Sequence, residues 1–344
     1  MSDKPTALVT GATGMVGSHL VERLVKEGYR VRALVRESSD TTFLKALGGV
    51  ELFHGDLAGA PETFKPMVEG MQYIFHIGAN VDDWGDRDEM YRINVDGLRH
   101  LMDACDTDRL KRFVFVGSMA VLGMGRQDNL DETAPYVHTG DNYNYTKIEA
   151  ETLAMKYARE KKFPIVVIRP PYIYGPRDRQ FFPRICTALR DGVFKYIGDG
   201  NNPFELVYAL NVVEALVLAA VKDEAVGQLY MITDGKPITR RELVELICDV
   251  MGYEKPTKCV PAWLAQAMCP VFEFFGKLKG KGSPPLLNRF KLKFMYPSMT
   301  FNIGKAQKDL GYGPPHESRE ALRKSLEWFK EHHPEMRPPK SKGA

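Results

Sequence analysis

Residues 7–20 read Ala7-Leu-Val-Thr-Gly-Ala-Thr-Gly-Met-Val-Gly-Ser-His-Leu20, and this stretch decides the fold. A short apolar run leads into the glycines Gly11, Gly14 and Gly17, after which apolar residues recur at helical spacing as far as Gly28. The pattern predicts a buried strand, a tight turn and a helix. The first turn of such a helix offers free N–H groups and the positive end of the helix dipole, so it suits a pyrophosphate. The residues expected to contact a dinucleotide here are Gly11, Thr13, Gly14, Met15 and Val16.

The alternative interpretation of this stretch is an ordinary glycine-rich turn. Its spacing is Gly-x-x-Gly-x-x-Gly, and not the commoner Gly-x-Gly-x-x-Gly of dinucleotide sites. The choice between the two interpretations therefore depends on the rest of the chain.

Composition narrows the function classes. The 344 residues carry a net charge of only +3, which does not indicate a nucleic-acid partner. The five cysteines show no Cys-x-x-Cys spacing, so we expect reduced thiols and no metal site. The first strand begins too early for a signal peptide, and no apolar run is long enough to cross a bilayer. These features predict a cytoplasmic protein.

Short apolar runs alternate with helical patterns through the first half of the chain, which predicts an α/β fold with a doubly wound parallel sheet. After Arg169 several prolines interrupt this rhythm, so a smaller, interleaved substrate-binding unit is expected there. The predicted division is a dinucleotide-binding domain over 1–168, with return of the chain from about 204–234, a substrate domain over 169–335, and a frayed tail over 336–344. The predicted strands are Arg30–Val35, Val50–His54, Tyr73–Ile77, Arg112–Val116, Ile165–Ile168 and Gln228–Ile232. The predicted helices are Glu89–Cys105, Asn142–Lys161, Asn211–Val221, Thr239–Met251 and Arg319–Lys330.

The carboxyl ends of parallel strands form the ligand-binding edge of such a sheet. Arg36 follows the second strand, where a carboxylate would hold the adenosine ribose and an arginine suits a 2′-phosphate. NADP(H) is therefore the favoured cofactor, although the adjacent Glu37 keeps NAD(H) open. Asp56 follows the third strand and could accept a hydrogen bond from the adenine amino group, or could instead cap a helix.

A tyrosine and a lysine four residues apart, Tyr143 and Lys147, begin a predicted helix and share one of its faces. A nearby lysine cation is expected to lower the pKa of the tyrosine, so that Tyr143 can exchange a proton near neutral pH. Ser118 follows the fifth strand at the same sheet edge, where its hydroxyl could bind a substrate oxygen. Tyr145 is an alternative tyrosine, but Glu149 stands four residues after it.

Together these motifs resemble those of the extended short-chain dehydrogenase/reductases over residues 6 to about 330. The motifs are Thr10-Gly-Ala-Thr-Gly-Met-Val-Gly17, Gly55-Asp-Leu57, Asn94-Val-Asp-Gly97, Ser118, Tyr143 with Lys147, and Arg169-Pro-Pro-Tyr-Ile-Tyr-Gly-Pro-Arg177. Within the family the chain is most similar to the branch of 3β-hydroxysteroid dehydrogenases, sterol-carboxylate dehydrogenases and dihydroflavonol reductases. The resemblance implies that Tyr143 is the acid/base, that Lys147 holds the nicotinamide ribose, and that Ser118 polarises the carbonyl. It also implies cofactor contacts for Asp56, Leu57, Asn94, Tyr172 and Ile173.

The family also implies the reaction. We expect interconversion of an alcohol and a ketone or aldehyde on a bulky, apolar substrate, by a homodimer. The alternatives are a nucleotide-sugar epimerase or dehydratase of the same fold and a redox-sensing NADP-binding protein, although the latter class has typically lost the tyrosine or lysine. His76 is interpreted as a packed core histidine and not as a catalyst.

The segment 260–295 is rich in large apolar residues, and six basic residues occur from Lys277 to Lys293 without an acid. It is either a helical subdomain packed on the core or the wall of an apolar substrate site that also contacts an anionic membrane surface. Phe272, Phe275 and Phe290 are the expected lining residues of that wall.

Overall fold

Seven strands pair in parallel to form the central sheet of the structure, a computed structural model that describes residues 4–82, 84–123, 127–279, 287–288, 291–292 and 295–338. The strands are β1 (Thr6–Thr10), β2 (Arg30–Val35), β3 (Val50–His54), β4 (Tyr73–His76), β5 (Arg112–Val116), β6 (Gln127–Leu130), β7 (Ile165–Arg169), β8 (Tyr172–Tyr174), β9 (Tyr196–Ile197), β10 (Pro203–Phe204), β11 (Leu206–Tyr208), β12 (Leu229–Met231), β13 (Ile238–Thr239), β14 (Cys259–Val260) and β15 (Met299–Phe301).

The order of strands across this sheet is β3-β2-β1-β4-β5-β7-β12. The chain moves outward from β1 to β3, then returns to the other side of β1 with β4 and continues to β12. The order therefore reverses between β1 and β4, and a crevice opens there at the carboxyl ends of the strands. The predicted doubly wound parallel sheet is confirmed.

Helices cover both faces of the sheet. They are α1 (Met15–Lys26), α2 (Thr42–Leu47), α3 (Phe64–Val68), α4 (Arg87–Tyr91), α5 (Gly97–Asp103), α6 (Asn142–Lys161), α7 (Phe181–Arg190), α8 (Ala209–Val221), α9 (Arg240–Met251), α10 (Ala262–Lys279), α11 (Gly304–Leu310) and α12 (Ser318–His332). Along β1, Ala7 and Val9 join the core beneath α1 and α8, whereas Leu8 joins the core beneath α3, α5 and α6. Both faces of the sheet are buried, which explains why its strands are uninterrupted apolar runs.

A second core lies among the smaller sheets. It combines apolar residues of α7, α9 and α12 with those of the four-stranded sheet β13-β10-β15-β6 and of the β11-β8 pair. Between these elements the chain returns to the central sheet once, as β12. The domain boundary at residue 168 stays a prediction. Among the described residues, no helix is both long and apolar enough to cross a membrane.

Several predicted elements differ from the observed bounds by one or two residues, and two of these differences have a visible cause next to the crevice. The strand expected over Tyr73–Ile77 ends at His76, because the N–H groups of Ile77 and Gly78 donate to Thr10 Oγ1 instead of to a neighbouring strand. The helix expected over Glu89–Cys105 is interrupted by a π-helical turn at Arg92–Asp96. That wider turn contains Asn94, whose side chain bonds to neighbouring segments, and such turns are frequent at functional sites.

Candidate active site

The glycine turn has the geometry of a phosphate-binding loop. Gly11 has φ 67°, in the left-handed region, and its carbonyl accepts a 2.9 Å hydrogen bond from the N–H of Gly14. A Cβ atom at Gly17 would lie 2.1 Å from the Gly11 oxygen, so only glycine lets α1 start this close to the strand. Gly14 precedes α1, and no side chain caps the helix within the described residues. The first N–H groups of α1 are therefore available to an anion.

The other predicted residues of this turn occupy different depths. Thr13 and Met15 are partly exposed beside the exposed Gly14, whereas the Val16 side chain is buried in the core beneath α1. A contact of Val16 with a cofactor could therefore use its backbone only.

Thr10 joins the ends of β1 and β4, the two strands on either side of the crevice. Its hydroxyl lies 2.9 Å from Nδ1 of His76, a buried ring that stacks on Phe115. Burial lowers the pKa of His76 to about 3, with a smaller contribution from Lys147, so the imidazole is neutral at physiological pH. The interpretation of His76 as a packed core histidine is confirmed.

The candidate ribose-recognition residues lie on the exposed turn after β2. The N–H of Arg36 donates to Ser39 Oγ at 3.2 Å, and its carbonyl accepts from the N–H of Ser39 at 2.9 Å. The side chain of Glu37 lies 3.0 Å from Nδ1 of His54 at the end of β3. The acidic neighbour of Arg36 therefore already has a partner, while the Arg36 side chain is exposed.

Asp56 and Leu57 follow β3 at the edge of the same crevice. Asp56 is exposed and accepts a 2.8 Å hydrogen bond from the N–H of Ala58, so its carboxylate stabilises a turn and does not cap a helix. Leu57 is buried against two glycines. A Cβ atom added at Gly78 would lie 2.9 Å from Leu57 Cδ1, and one added at Gly97 would lie 2.6 Å from the Leu57 carbonyl oxygen.

Asn94 is buried and positions the loop after β4. Its Oδ1 accepts from the N–H of Asn80 at 2.7 Å, and its Nδ2 donates to the Asn80 carbonyl at 3.0 Å and to Thr146 Oγ1 at 3.1 Å. Thr146 lies on α6 next to Lys147. Asn94 thus connects the crevice loop to the helix that carries the tyrosine and the lysine.

Ser118 and Tyr143 are brought together at the end of β5. The Ser118 hydroxyl lies near enough to that of Tyr143 to affect its pKa, and Ser118 Oγ accepts from the N–H of Ala120 at 3.1 Å. Burial raises the pKa of Tyr143, and the nearby Ser118 hydroxyl offsets part of this shift. The expectation that Lys147 lowers the pKa of Tyr143 is therefore wrong.

The reason is the direction in which Lys147 points. Its Nζ donates to the carbonyl oxygen of Val116 at 2.8 Å and lies 5.0 Å from the centre of the Phe115 ring. Burial lowers the pKa of Lys147 to about 8, against an opposing contribution from Glu151. The lysine is still mostly protonated at neutral pH.

Tyr145 faces a different environment from Tyr143. Its ring stacks on Tyr91 with centroids 6.2 Å apart, and the Arg87 guanidinium lies 4.2 Å from its centre. Tyr145 is therefore held on the α4 side of α6, and it provides a matched control for Tyr143.

Two sets of side chains behind the site were not predicted. Asn144 is fully buried, and its Nδ2 donates to the carbonyls of Ala120 at 2.8 Å and Val137 at 3.0 Å. It fixes the segment after Ser118 to the start of α6. In the sequence, only its position next to Tyr143 indicated a role for Asn144.

The second set is a buried ion pair one turn beyond Lys147. Glu151 is fully buried and forms a bidentate pair with Arg169, at 2.9 Å from Nε to both carboxylate oxygens. Tyr136 donates to the same carboxylate at 2.8 Å. Tyr143, Lys147 and Glu151 follow one another at four-residue spacing, so a single face of α6 carries all three.

Tyr172 and Ile173 lie on β8, which pairs in parallel with β11. Ile173 packs against the core beneath α1, whereas Tyr172 packs against the second core. Both are partly exposed, and their expected proximity to a nicotinamide stays a prediction.

The segment 260–295 differs from the predicted substrate wall. Phe275 is 56% exposed on α10, so it does not line an enclosed cavity, and Phe272 is partly buried. Phe290 lies outside the described residues. Within those residues, no group of three histidine, cysteine or acidic side chains is arranged to hold a metal ion.

Comparison with known proteins gives the site a family context. The sequence profile of the NAD dependent epimerase/dehydratase family matches residues 7–232. A 3beta-hydroxysteroid-dehydrogenase/decarboxylase isoform of Arabidopsis thaliana is 31% identical, over 94% of this chain and 79% of that protein. A 2-alkyl-3-oxoalkanoate reductase of Shewanella oneidensis is 30% identical, over 89% of this chain and 81% of the relative. A decarboxylating sterol-4-alpha-carboxylate 3-dehydrogenase of Candida albicans is 30% identical, with coverages of 95% and 98%.

Solved structures share the fold along nearly the whole chain. The crystal structure of gox2253 superposes with a TM-score of 0.78 at 30% identity, covering 96% of this chain and 99% of that one. A UDP-glucose 4-epimerase from Thermotoga maritima superposes with a TM-score of 0.75 at 22% identity, with coverages of 95% and 99%.

Proposed function

Because the chain belongs to the NAD dependent epimerase/dehydratase family, the extended short-chain dehydrogenase/reductases, we propose that it interconverts an alcohol and a ketone on a bulky, largely apolar substrate, with Tyr143 as the acid/base. The chain is an NAD(P)-dependent oxidoreductase. The observation that carries the proposed mechanism is that the Ser118 hydroxyl lies near enough to the Tyr143 hydroxyl to lower its pKa. Two donors that already meet at one point can bind a single substrate oxygen between them.

In the direction of reduction, the substrate carbonyl oxygen accepts hydrogen bonds from Ser118 and Tyr143. As a hydride adds to the carbonyl carbon, negative charge develops on that oxygen, and Tyr143 gives it a proton. The bound nicotinamide cofactor supplies the hydride in this direction and accepts it in the other. The Ser118 hydroxyl, which opposes the rise in the pKa of Tyr143 caused by burial, stabilises the phenolate that remains.

The cofactor's pyrophosphate would be held by the first N–H groups of α1, where the glycine turn leaves them uncapped. Lys147 would hold the nicotinamide ribose, and Asp56 would accept from the adenine amino group. We propose NADP(H) as the preferred cofactor, because Arg36 is exposed at the end of β2 while Glu37 is paired with His54.

The relatives suggest a substrate class. One relative's name specifies a sterol with a carboxylate at position 4 and oxidation at position 3, and another's specifies reduction of a 3-oxo acid with a 2-alkyl group. In both names the carbon that changes oxidation state is β to a carboxylate. We therefore propose that this chain acts on a hydroxyl or oxo group β to a carboxylate, on an apolar skeleton.

Purified protein with a panel of substrates tests this proposal. The panel should contain 3-hydroxysteroids with and without a 4-carboxylate and 3-oxo acids with and without a 2-alkyl chain, with both cofactors, followed by nicotinamide absorbance. Turnover that is highest for the β-substituted acids supports the substrate class. Turnover of the uncharged ketones alone would contradict the class but leave the reaction type intact.

A nucleotide-sugar epimerase or dehydratase is the second candidate, because the matched family is named for those reactions. Such an enzyme regenerates its cofactor in each cycle. Nicotinamide that stays bound through purification, together with no net turnover of added NADP(H), would favour this candidate over the first. A homodimer and a cytoplasmic location stay predictions, and analytical ultracentrifugation would test the first of these.

A further inference from the structure

One helix carries half of the exposed large apolar side chains found in the described residues. The α10 members of that set are Trp263, Leu264, Met268, Val271, Phe274 and Phe275, with exposed fractions from 37% to 70%. The remaining members lie on other parts of the chain, and the largest run among them is the adjacent pair Tyr136 and Val137. The cluster on α10 needs an explanation of its own.

The exposed side chains form one continuous face. With 3.6 residues per turn, they occupy an arc of about 140° around the helix axis. Ala265 and Cys269 lie outside this arc and are buried against Ile197 and Leu292, so α10 is attached to the protein by a narrow, small-residue side. Gln266 and Glu273 occupy the sector between these two faces. The wide apolar face of α10 thus points away from the core.

This arrangement separates α10 from an ordinary surface helix, whose apolar stripe faces the core. Here the small residues face inward, and Trp263, Phe274 and Phe275 face outward. Aromatic side chains on one face of an amphipathic helix are typical of helices that lie in the interface of a bilayer. The described residues contain no membrane-spanning helix, so contact with a bilayer through α10 would be peripheral.

Charge selects among the surfaces that could cover this face. The sequence from Lys277 to Lys293, which starts within the last turn of α10, carries six basic residues and no acidic residue. A second copy of the chain carries the same excess of positive charge in this segment, so it offers no complementary charge. An anionic lipid surface instead provides the complementary charge beside a layer that accepts apolar side chains.

We propose that α10 docks the protein on anionic membranes, with the face formed by Trp263, Leu264, Met268, Val271, Phe274 and Phe275 inserted at the level of the lipid headgroups. The basic residues from Lys277 onward in the sequence supply the attraction to the surface, and the aromatic side chains of α10 provide the inserted area. This proposal goes beyond the proposed reaction and does not depend on it.

Co-sedimentation of the full-length protein with vesicles tests the proposal. Vesicles of phosphatidylcholine alone are compared with vesicles that also contain phosphatidylglycerol, at low and at high salt. We expect about tenfold or more tighter binding to the anionic vesicles at low salt, and loss of this preference at high salt. Equal binding to both vesicle types, or no binding to anionic vesicles at low salt, would overturn the proposal.

A double variant, Phe274→Ser with Phe275→Ser, tests whether this face makes the contact. Both side chains are more than half exposed, so thermal unfolding should be unchanged while vesicle affinity falls about tenfold or more. Val193→Ser is the matched control, since Val193 is 63% exposed outside α10. Wild-type affinity in the double variant would overturn the assignment to α10.

Tryptophan fluorescence gives an independent readout. Anionic vesicles should shift the emission of the wild type to shorter wavelength, because Trp263 leaves water, and the shift should disappear in Trp263→Phe although that variant still sediments with vesicles. A shift that persists in Trp263→Phe would place the contact elsewhere. If the double variant instead turns a dimer into a monomer by ultracentrifugation, the face is a subunit interface and the membrane proposal fails.

Discussion

The Nζ atom of Lys147 donates a 2.8 Å hydrogen bond to the carbonyl oxygen of Val116, the last residue of β5. This bond ties the helix that carries Tyr143 to the strand that precedes Ser118. The bond holds the end of β5, and with it Ser118, next to the start of α6, where Tyr143 lies. The buried ammonium of Lys147 therefore positions the end of β5 against α6.

Burial of Lys147 makes stability depend on pH in a predictable window. The pKa of Lys147 is lowered to about 8, whereas a lysine in the unfolded chain keeps its ordinary pKa of 10.5. Between these values the unfolded state binds more protons, so this group makes the free energy of unfolding rise with pH. Denaturant unfolding of the wild type and of Lys147→Met from pH 7 to pH 10 measures this contribution.

In Lys147→Met the rise of the free energy of unfolding with pH should be missing. Cofactor affinity should also fall, because the nicotinamide ribose loses the charged donor that Lys147 is proposed to provide. If wild type and variant show the same slope between pH 8 and pH 10, Lys147 is not the group that titrates. The variant should still fold, since methionine fills a similar volume without a buried charge.

Arg36 is predicted to set cofactor preference. A charge-assisted contact with a 2′-phosphate should contribute about 1.5–3 kcal/mol, or roughly tenfold or more in affinity. Titration of NADP(H) and NAD(H) into the wild type should therefore show tighter binding of NADP(H), and Arg36→Asp should reverse the order. Tighter binding of NAD(H) by the wild type would mean that another group makes the choice.

The buried pair of Glu151 and Arg169 is predicted to be essential for stability. Glu151→Gln keeps the side-chain volume but leaves the Arg169 charge buried without its counterion, which should cost about 3–5 kcal/mol. Thermal or denaturant unfolding measures this loss. Glu320→Gln is the control, because Glu320 pairs with Lys324 on the exposed face of α12 and its removal should leave the unfolding transition unchanged. Similar effects of the two substitutions would contradict the role given to the buried pair.

The sequence predicts those parts of the fold and site that depend on short-range pattern. The bounds of β2, β3, β5 and α6 agree with the predicted elements, because apolar periodicity and capping act within a few residues. Tyr143 and Lys147 share a helix face for the same reason. The position of Ser118 near Tyr143 follows from the rule that the carboxyl ends of parallel strands meet at one edge of the sheet.

Contacts between distant segments could not be predicted in the same way. The bidentate pair of Glu151 and Arg169 joins a helix to a strand that follows it, and nothing in the spacing indicates which acid meets which base. The outward direction of the α10 apolar face could not be predicted either. Apolar periodicity indicates that a helix is amphipathic, but it does not indicate which side of the helix packs against the protein. The prediction of a lowered pKa for Tyr143 failed for a related reason. The direction of the Lys147 side chain is set by its hydrogen bond to the Val116 carbonyl, which the sequence does not indicate.

The most direct test of the proposed mechanism compares Tyr143→Phe with Tyr145→Phe in steady-state turnover of an alcohol or ketone that the wild type accepts. Tyr143→Phe removes one hydroxyl, so the fold and cofactor affinity should be kept while kcat falls by ~10²-fold or more. Tyr145→Phe should stay within a few-fold of the wild type, because its ring lies against Tyr91 and Arg87, away from Ser118. A Tyr143→Phe enzyme whose kcat also stays within a few-fold of the wild type would contradict the assignment of Tyr143 as the acid/base.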